Sequence, residues 1–467
     1  MDVVYETIFS FSEDGFHHRR VCSEFRQRIK YISPAAYMDM LCRQGKKIKL
    51  GPHCTEIAIK AAEEGLLSLL SQVHDYLPKD PYLPAIKFSR LEVLQWSKAQ
   101  GYRLHEGVFS LAGEVGDKNI IQWLRENNSE HVYTRDLWDT KICAHAAKAG
   151  HLEVLQWLRE QGCFWDEWTP AFAASSGHLE ILKFCVSQHC PIDDKTSAYA
   201  GKSDNIEVLE WCREQGLAWN TKTFAFAAEI GNIETLKWLL EQGCPKNHLA
   251  MCLAAGKGNV KILQWLRDNN TRWSGKVCAH AAKGGHLETL QWLRKEGCPW
   301  GKDVCRNAAN KGYHEMFRWA VHSGCELGKD IIISAARGGN LDIINTLREQ
   351  GQEWNEKICS TLVSHDHLEI LKWAKATGWC KSISNDKRTF ALAAGRGNLE
   401  MMQWLRSEGC PWDITAFYEA ARADRVYVLQ WLKDNGCSHQ GKSGSFYHAA
   451  YIGGNRALSW VKKNRID

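Results

Sequence analysis

The chain has 467 residues, of which 44% are hydrophobic and 24% charged, and a formal net charge of +5 at pH 7. That excess is too small to imply a nucleic-acid partner by itself, and no run approaches the ~18 apolar residues of a membrane-crossing helix. The opening, MDVVYETIFSFSEDG, carries acids where a secretory signal carries Lys or Arg, so the expectation is a soluble protein of the cytoplasm or nucleus.

In chain order, residues 1–33 form a head that does not share the pattern of the rest. Its segment Tyr5–Ile29, YETIFSFSEDGFHHRRVCSEFRQRI, resembles a degenerate F-box. The positions that carry the resemblance are Ile8, Phe9, Phe11, Val21, Cys22 and Phe25. The Leu-Pro opening of the family pattern has no counterpart, and the central segment is short. In that family the element docks on the small linker subunit of SCF-type ubiquitin ligases, so the resemblance implies adaptor docking. On its residues alone the segment reads as a helical cap over the first repeat, since the end of a stacked array must be shielded. The two readings are compatible.

Residues 34–467 repeat. Ala144–Trp165 returns as Ala279–Trp300 with 17 of 22 positions identical, displaced by 135 residues, or five times 27. The Trp of Leu-Gln-Trp marks the intervening copies. That column holds 12 of the 21 tryptophans, and from Trp157 to Trp373 each step is 27 residues, with Phe184 and Thr346 as substitutes. A fixed period of this size marks a stacked repeat array.

Each unit predicts two short helices. The first carries an Ala-Ala pair, as at Ala146-Ala147 and Ala281-Ala282, which admits a close neighbour, and stops at a Gly suited to positive φ. His, Asn or Asp follows in the capping position of the second helix, as at His151, His178, Asn232, Asn259, His286 and His367. The second helix has Leu152, Leu155, Trp157 and Leu158 on one apolar face, and a Gly-Cys or Gly-Cys-Pro turn ends it. The Trp column is expected to be the buried spine. A second set eight residues on, including Trp165, Trp219, Trp273, Trp300 and Trp412, is expected to close the loop over the neighbouring repeat.

Within this pattern Thr169–Phe184, TPAFAASSGHLEILKF, resembles the ankyrin repeat. The resemblance implies an all-α, ankyrin-like helix-turn-helix solenoid of about 14 repeats. Its units are six residues shorter than the usual 33, which implies hairpin fingers shortened to tight loops. Arrays of this Gly-Cys-Pro-Trp type resemble those of giant DNA viruses and some protists and algae; for a viral protein the host cytoplasm would be the site of action.

The remaining motifs carry less chemistry. Of eighteen cysteines, seven sit at one repeat position, as at Cys163 and Cys298, and four at another, as at Cys143 and Cys278; equivalent positions lie about 10 Å apart, too far for disulfides, and these cysteines are expected to be free apolar fillers. Gly436–Ser443, GCSHQGKS, matches a P-loop pattern but follows a helical stretch where nucleotide binding needs a strand. Repeat-equivalent histidines stand too far apart to share one metal ion. The expectation is no catalysis, no cofactor and no metal.

Two surfaces are candidates for recognition. The residue before Ala-Ala is His145, Phe172, Tyr199, Phe226 or His280 in five of the repeats. In ankyrin arrays that helix lines the concave groove, so an aromatic strip there would anchor a partner protein; burial inside the repeat is the competing expectation. Lys148, Lys202, Lys257, Lys283, Lys311, Arg337, Arg396 and Arg422 precede the helix-ending Gly. They form either helix-terminal electrostatics or a basic ridge for an acidic partner. The polar inserts at 127–136 and 381–387 are expected to protrude. The reading is a monomeric scaffold that holds a target protein, either as a ubiquitin-ligase adaptor or as a ligase-independent decoy.

Overall fold

A computed structural model describes residues 33–48, 54–74, 77, 81–127, 135–354, 356–380, 387–438, 448–450 and 454–464. The F-box-like positions Ile8 to Phe25, most of both inserts and the tail of the P-loop-like match lie outside the described residues. Among the described residues all regular structure is helical, as the period predicts. Two compact units are present, Asp136–Ala416 and a second made of the segments up to Arg135 and from Phe417.

The unit Asp136–Ala416 is a regular stack of helix pairs. Its first helices include Trp168–Ser175, Asp194–Ala200, Thr221–Ile230, His248–Gly256, Gly275–Gly284, Asp303–Asn310 and Ile331–Gly338. They pack on one another through alanine pairs, with Ala200-Gly201 in place of the pair at the end of Asp194–Ala200, and Ala173, Ala174, Ala228, Ala254, Ala255, Ala281 and Ala282 have no exposed surface. Helix starts carry the polar caps that backbone N–H groups need: Asn220 accepts from the amides of Lys222 and Thr223 in a capping box, and Asp193 accepts from Lys195.

The second helices, such as Leu152–Glu160, Ile233–Glu241 and Leu287–Lys295, bury an aliphatic triplet. Val154, Leu155 and Leu158 are buried, as are Ile262, Leu263 and Leu266 in the equivalent positions. This corrects the expectation for the tryptophans. Trp211 is buried, but Trp157, Trp238, Trp265, Trp292, Trp319, Trp373 and Trp404 are half-buried, and the spine is aliphatic. The indole lies one position beyond the strip that faces the first helix, so it seals the outer seam between repeats.

At that seam the loop tryptophan of one repeat meets the column residue of the next edge-on. Centroid separations are 5.3 Å for Trp219–Trp238, 5.6 Å for Trp300–Trp319 and 5.9 Å for Trp165–Phe184. An arginine from the preceding second helix covers the loop ring, at 4.3 Å for Arg294 over Trp300 and 4.1 Å for Arg406 over Trp412. The same guanidinium donates to the carbonyl of the Gly-Cys turn, at 2.6 Å in both Arg294–Cys298 and Arg406–Cys410. Edge-on ring pairs contribute ~0.5–1.5 kcal/mol beyond area burial, and exposed cation–π contacts ~0.5–1 kcal/mol.

The capping column makes two kinds of bond, one to its own helix and one to the preceding repeat, and Asn340 makes both, its Nδ2 donating to the Gly312 carbonyl at 3.3 Å. Asn232, Asn259, Asn340 and Asn398 cap their own second helices, with Asn259 Oδ1 accepting from the Ile262 amide at 3.1 Å. His178, His286 and His367 make no side-chain cap bond, which corrects the expectation of a histidine cap. Each instead donates from Nε2 to a carbonyl of the preceding repeat, His178 to Lys148 at 3.2 Å, His286 to Gly256 at 3.1 Å and His367 to Arg337 at 3.2 Å. The ring lies over the glycine turn of that repeat. A Cβ on Gly258, whose φ is +75°, would sit 2.6 Å from His286 Nδ1, so the turn requires glycine for both backbone and space.

The cysteines of the turns that end second helices, after Gly or, at Cys190, after His189, are buried and form no disulfide. They donate to carbonyls 24 residues earlier, as in Cys190–Asp166 at 3.6 Å and Cys298–Ser274 at 3.8 Å, closing the two ends of one helix pair. Burial pushes the thiols of Cys212 and Cys244 up to about 12, which keeps them protonated at neutral pH.

In the other unit, Pro34–Arg43 precedes the pairs Cys54–Glu64 with Leu67–Val73, Tyr82–Lys87 with Leu91–Ala99, and Glu106–Val115 with Lys118–Glu126. Asp39, 2% exposed, receives the Leu69 amide at 2.8 Å, and Tyr82 donates to the Tyr102 carbonyl at 2.9 Å. Arg456, in the helix Asn455–Asn464, lies 4.5 Å from the Tyr102 ring centroid. Gly436 ends the helix Val426–Asp434, so a helix precedes the P-loop-like match where nucleotide binding needs a strand.

Because the aliphatic layer is dry and the joints are half-exposed, Leu290→Ala is expected to lower stability by ~2–5 kcal/mol. His286→Ala, which removes one hydrogen bond, is expected to cost ~0.5–1.5 kcal/mol. Hydrogen exchange of Leu287–Lys295 in each variant reads both effects locally; a larger loss at His286 would show that the joints, not the aliphatic layer, hold the array.

Candidate functional site: an aromatic strip on the first-helix row

The position before the alanine pair is a consequence of helical spacing. The alanines take up the side of the first helix that meets its neighbours, and the preceding residue is turned about 100° away. Phe224, two residues before Phe226, has no exposed surface, whereas Phe226 is half-buried. The competing expectation that these rings are core is therefore not met: His145, Phe172, Tyr199, Phe226 and His280 are all half-buried.

Four of the five form one continuous run. His145 meets Phe172 edge-on at 5.3 Å, Phe172 and Tyr199 lie 6.2 Å apart, and Tyr199 meets Phe226 at 5.5 Å. Trp168, which belongs to neither tryptophan column, joins them from the first turn of Trp168–Ser175 at 5.7 Å from Phe172 and 5.8 Å from Tyr199. Its absence from the period is why sequence reasoning passed over it; a tryptophan outside every column was the available signal.

Cations border the strip. Lys202 Nζ lies 4.4 Å from the Phe226 centroid and 5.5 Å from that of Tyr199, and pairs with Glu229 at 3.6 Å. Lys195 lies 5.1 Å from the Trp168 ring and donates to Glu167 at 2.7 Å. That hydrogen bond holds the Glu167 carboxyl below its ordinary range and lifts the Lys195 ammonium above its own. The strip thus presents ring edges and partly used ammonium groups, a surface that accepts apolar and aromatic side chains and tolerates acidic ones.

The other sequence candidates fall elsewhere. Leu253 separates His280 from Phe226, and His280 Nδ1 donates to its own helix at the Lys276 carbonyl, 2.9 Å away. Lys148 is exposed at the end of Arg135–Ala149, and Lys283 is exposed at the end of Gly275–Gly284. Among the described residues no cluster of three or more metal-ligating side chains exists, and no helix is long and apolar enough to cross a membrane.

Half-buried rings at the margin of a packed core contribute less than rings inside it. Phe172→Ala with Tyr199→Ala is expected to cost less than ~3 kcal/mol in total, whereas Phe224→Ala alone costs ~3–5 kcal/mol. Urea denaturation of the full chain compares them, and a double variant as damaged as Phe224→Ala would make the strip part of the core.

The chain resembles known proteins in sequence and in structure. No curated protein matches it. Most of its length is similar to solved structures of the pentatricopeptide repeat protein PPR10, one in complex with an 18-nt psaJ RNA element and one of the protein from maize. Identity is 14% and the TM-score 0.29 in both, with coverage of 96% of this chain and 80% of that chain in the first, and 93% and 78% in the second. Two family models match, one described as ankyrin repeats (many copies) over residues 143–186 and one described as ankyrin repeats (3 copies) over residues 224–307. Residues 143–186 and 224–307 are therefore ankyrin repeats, within a chain built from stacked helix pairs.

Proposed function

We propose that this chain is a protein-interaction scaffold that holds a partner on its first-helix row, with Phe172, Tyr199 and Phe226 as the anchor. Ankyrin repeats are scaffolds of that kind, and the observation that carries the location is the continuous half-exposed ring contact from His145 to Phe226. Aromatic side chains clustered on a rigid surface are the usual centres of binding energy. Rings that already touch one another lose little freedom when a partner covers them, which lowers the entropic cost of binding. The second-helix side offers less: its indoles are engaged by loop tryptophans and arginines, and its depression beside Trp238, about 520 Å³, is lined by charged Glu210, Arg213 and Glu214.

A photocrosslinker in place of Tyr199 in the native cell is expected to capture a defined partner that one in place of the exposed second-helix residue Gln264 does not. Phe172→Ala with Phe226→Ala should reduce the yield at least ~tenfold, as loss of two anchors of 1–2 kcal/mol each implies. Equal capture at both positions would remove the site.

A second reading concerns what happens to the partner. The segment Tyr5–Ile29 supports an adaptor role, in which Ile8, Phe9, Phe11, Val21, Cys22 and Phe25 dock on the linker subunit of an SCF-type ubiquitin ligase while the array presents the target. Without that docking the chain is a ligase-independent scaffold or decoy. Retention of purified linker subunit that is lost with Ile8→Asp and Phe25→Ala supports the adaptor; no retention, or retention indifferent to both substitutions, leaves the decoy.

A further inference from the structure

The first-helix row changes character beyond the aromatic strip. Lys283, Lys311 and Arg337 end the first helices of three consecutive repeats, and all three are exposed. Among the described residues none of them has a carboxylate within ion-pair distance, whereas the cations of the preceding stretch are neutralised, Lys202 and Lys257 sharing Glu229 at 3.6 and 3.5 Å. A cation at a helix C-terminus is favoured by the helix dipole, which accounts for the residue type in every repeat. It does not account for an acid that serves two cations in one place and is missing over the next three repeats.

We propose that the row takes an extended, Asp/Glu-rich segment of a partner protein, its apolar side chains on Phe172, Tyr199 and Phe226 and its carboxylates along Lys283, Lys311 and Arg337. The inference rests on the reading of the first-helix row as the binding face and adds the chemistry and direction of the occupant. Unpaired cations spaced one per layer match carboxylates on an extended strand better than a dense phosphate backbone, because layers recur at about 10 Å while phosphates on one strand recur far more closely. From the Phe172 repeat to the Arg337 repeat there are six steps, about 60 Å at that spacing. An extended chain advancing ~3.3 Å per residue covers this in about 18 residues.

The test is to pan displayed random peptides of about that length on the purified full chain and to measure the enriched peptides on two variants. Enriched sequences should carry acidic residues to one side of an aromatic or aliphatic pair. The variant K283E/K311E/R337E should bind them at least ~tenfold more weakly, with the remaining affinity no longer falling as salt is added. Lys311→Glu alone, at an exposed position, should shift affinity in the same direction and serves if the triple variant does not fold. The variant F172A/Y199A/F226A should bind more weakly while keeping the salt dependence. Neutral or basic peptides that depend on the rings and ignore the charge reversal overturn this inference and leave the first-helix reading standing. Peptides indifferent to both variants, or no enrichment at all, overturn both. A single-stranded oligonucleotide of matching reach that displaces the acidic peptides, and is itself lost on charge reversal, overturns the assignment to a protein partner.

Discussion

The array depends on how closely two first helices can approach. Alanine pairs at that contact leave nothing between the helices but methyl groups, and Ala173, Ala174, Ala281 and Ala282 have no surface left. At Gly201, in place of the second alanine, the Thr223 carbonyl of the next repeat already occupies the space of a Cβ. The same closeness sets the spacing of everything attached to those helices. Rings at the position before the pair are carried into contact from one repeat to the next, so the strip is a by-product of small side chains elsewhere. A larger residue in the alanine pair would part the rings as it parted the helices.

The two faces of the array spend their aromatic residues differently. On the second-helix side the Trp300–Trp319 joint shows the pattern: the loop tryptophan lies against the edge of the column indole, Arg294 lies over that tryptophan, and Arg294 in turn donates to the Cys298 carbonyl. Those groups answer to one another and close the seam. On the first-helix side the ring contacts described for Phe172, Tyr199 and Phe226 run along the strip itself, to one another, to His145 and Trp168, and to Lys202. That contrast between satisfied and available aromatic surface locates the candidate site.

Much of this was legible in the sequence, and what escaped has a physical reason. The period, the helix pairs, the glycine stops and the asparagine caps follow from local spacing; for the position before the alanines the spacing left burial and exposure open, and its rings are half-buried. The half-burial of Trp238 and its equivalents does not, because a helical period identifies an apolar face but not which edge of that face a neighbour covers. Asn259 and His286 share a column, yet one bonds to its own helix and the other to the previous repeat. The period fixes the position of both residues, but not which partner each side chain reaches. Trp168 escaped because it recurs nowhere.

The fasteners described between repeats share one property: each spans a single joint. His286 reaches Gly256 and His367 reaches Arg337, 30 residues back in both cases, and the Trp300–Trp319 contact joins adjacent units. A whole unit can therefore be inserted or excised while the bonds at every other joint of the array stay as they are. Array length becomes a quantity that unequal recombination can adjust, while single substitutions before the alanine pair rewrite what the surface recognises. The architecture separates those two kinds of inheritance.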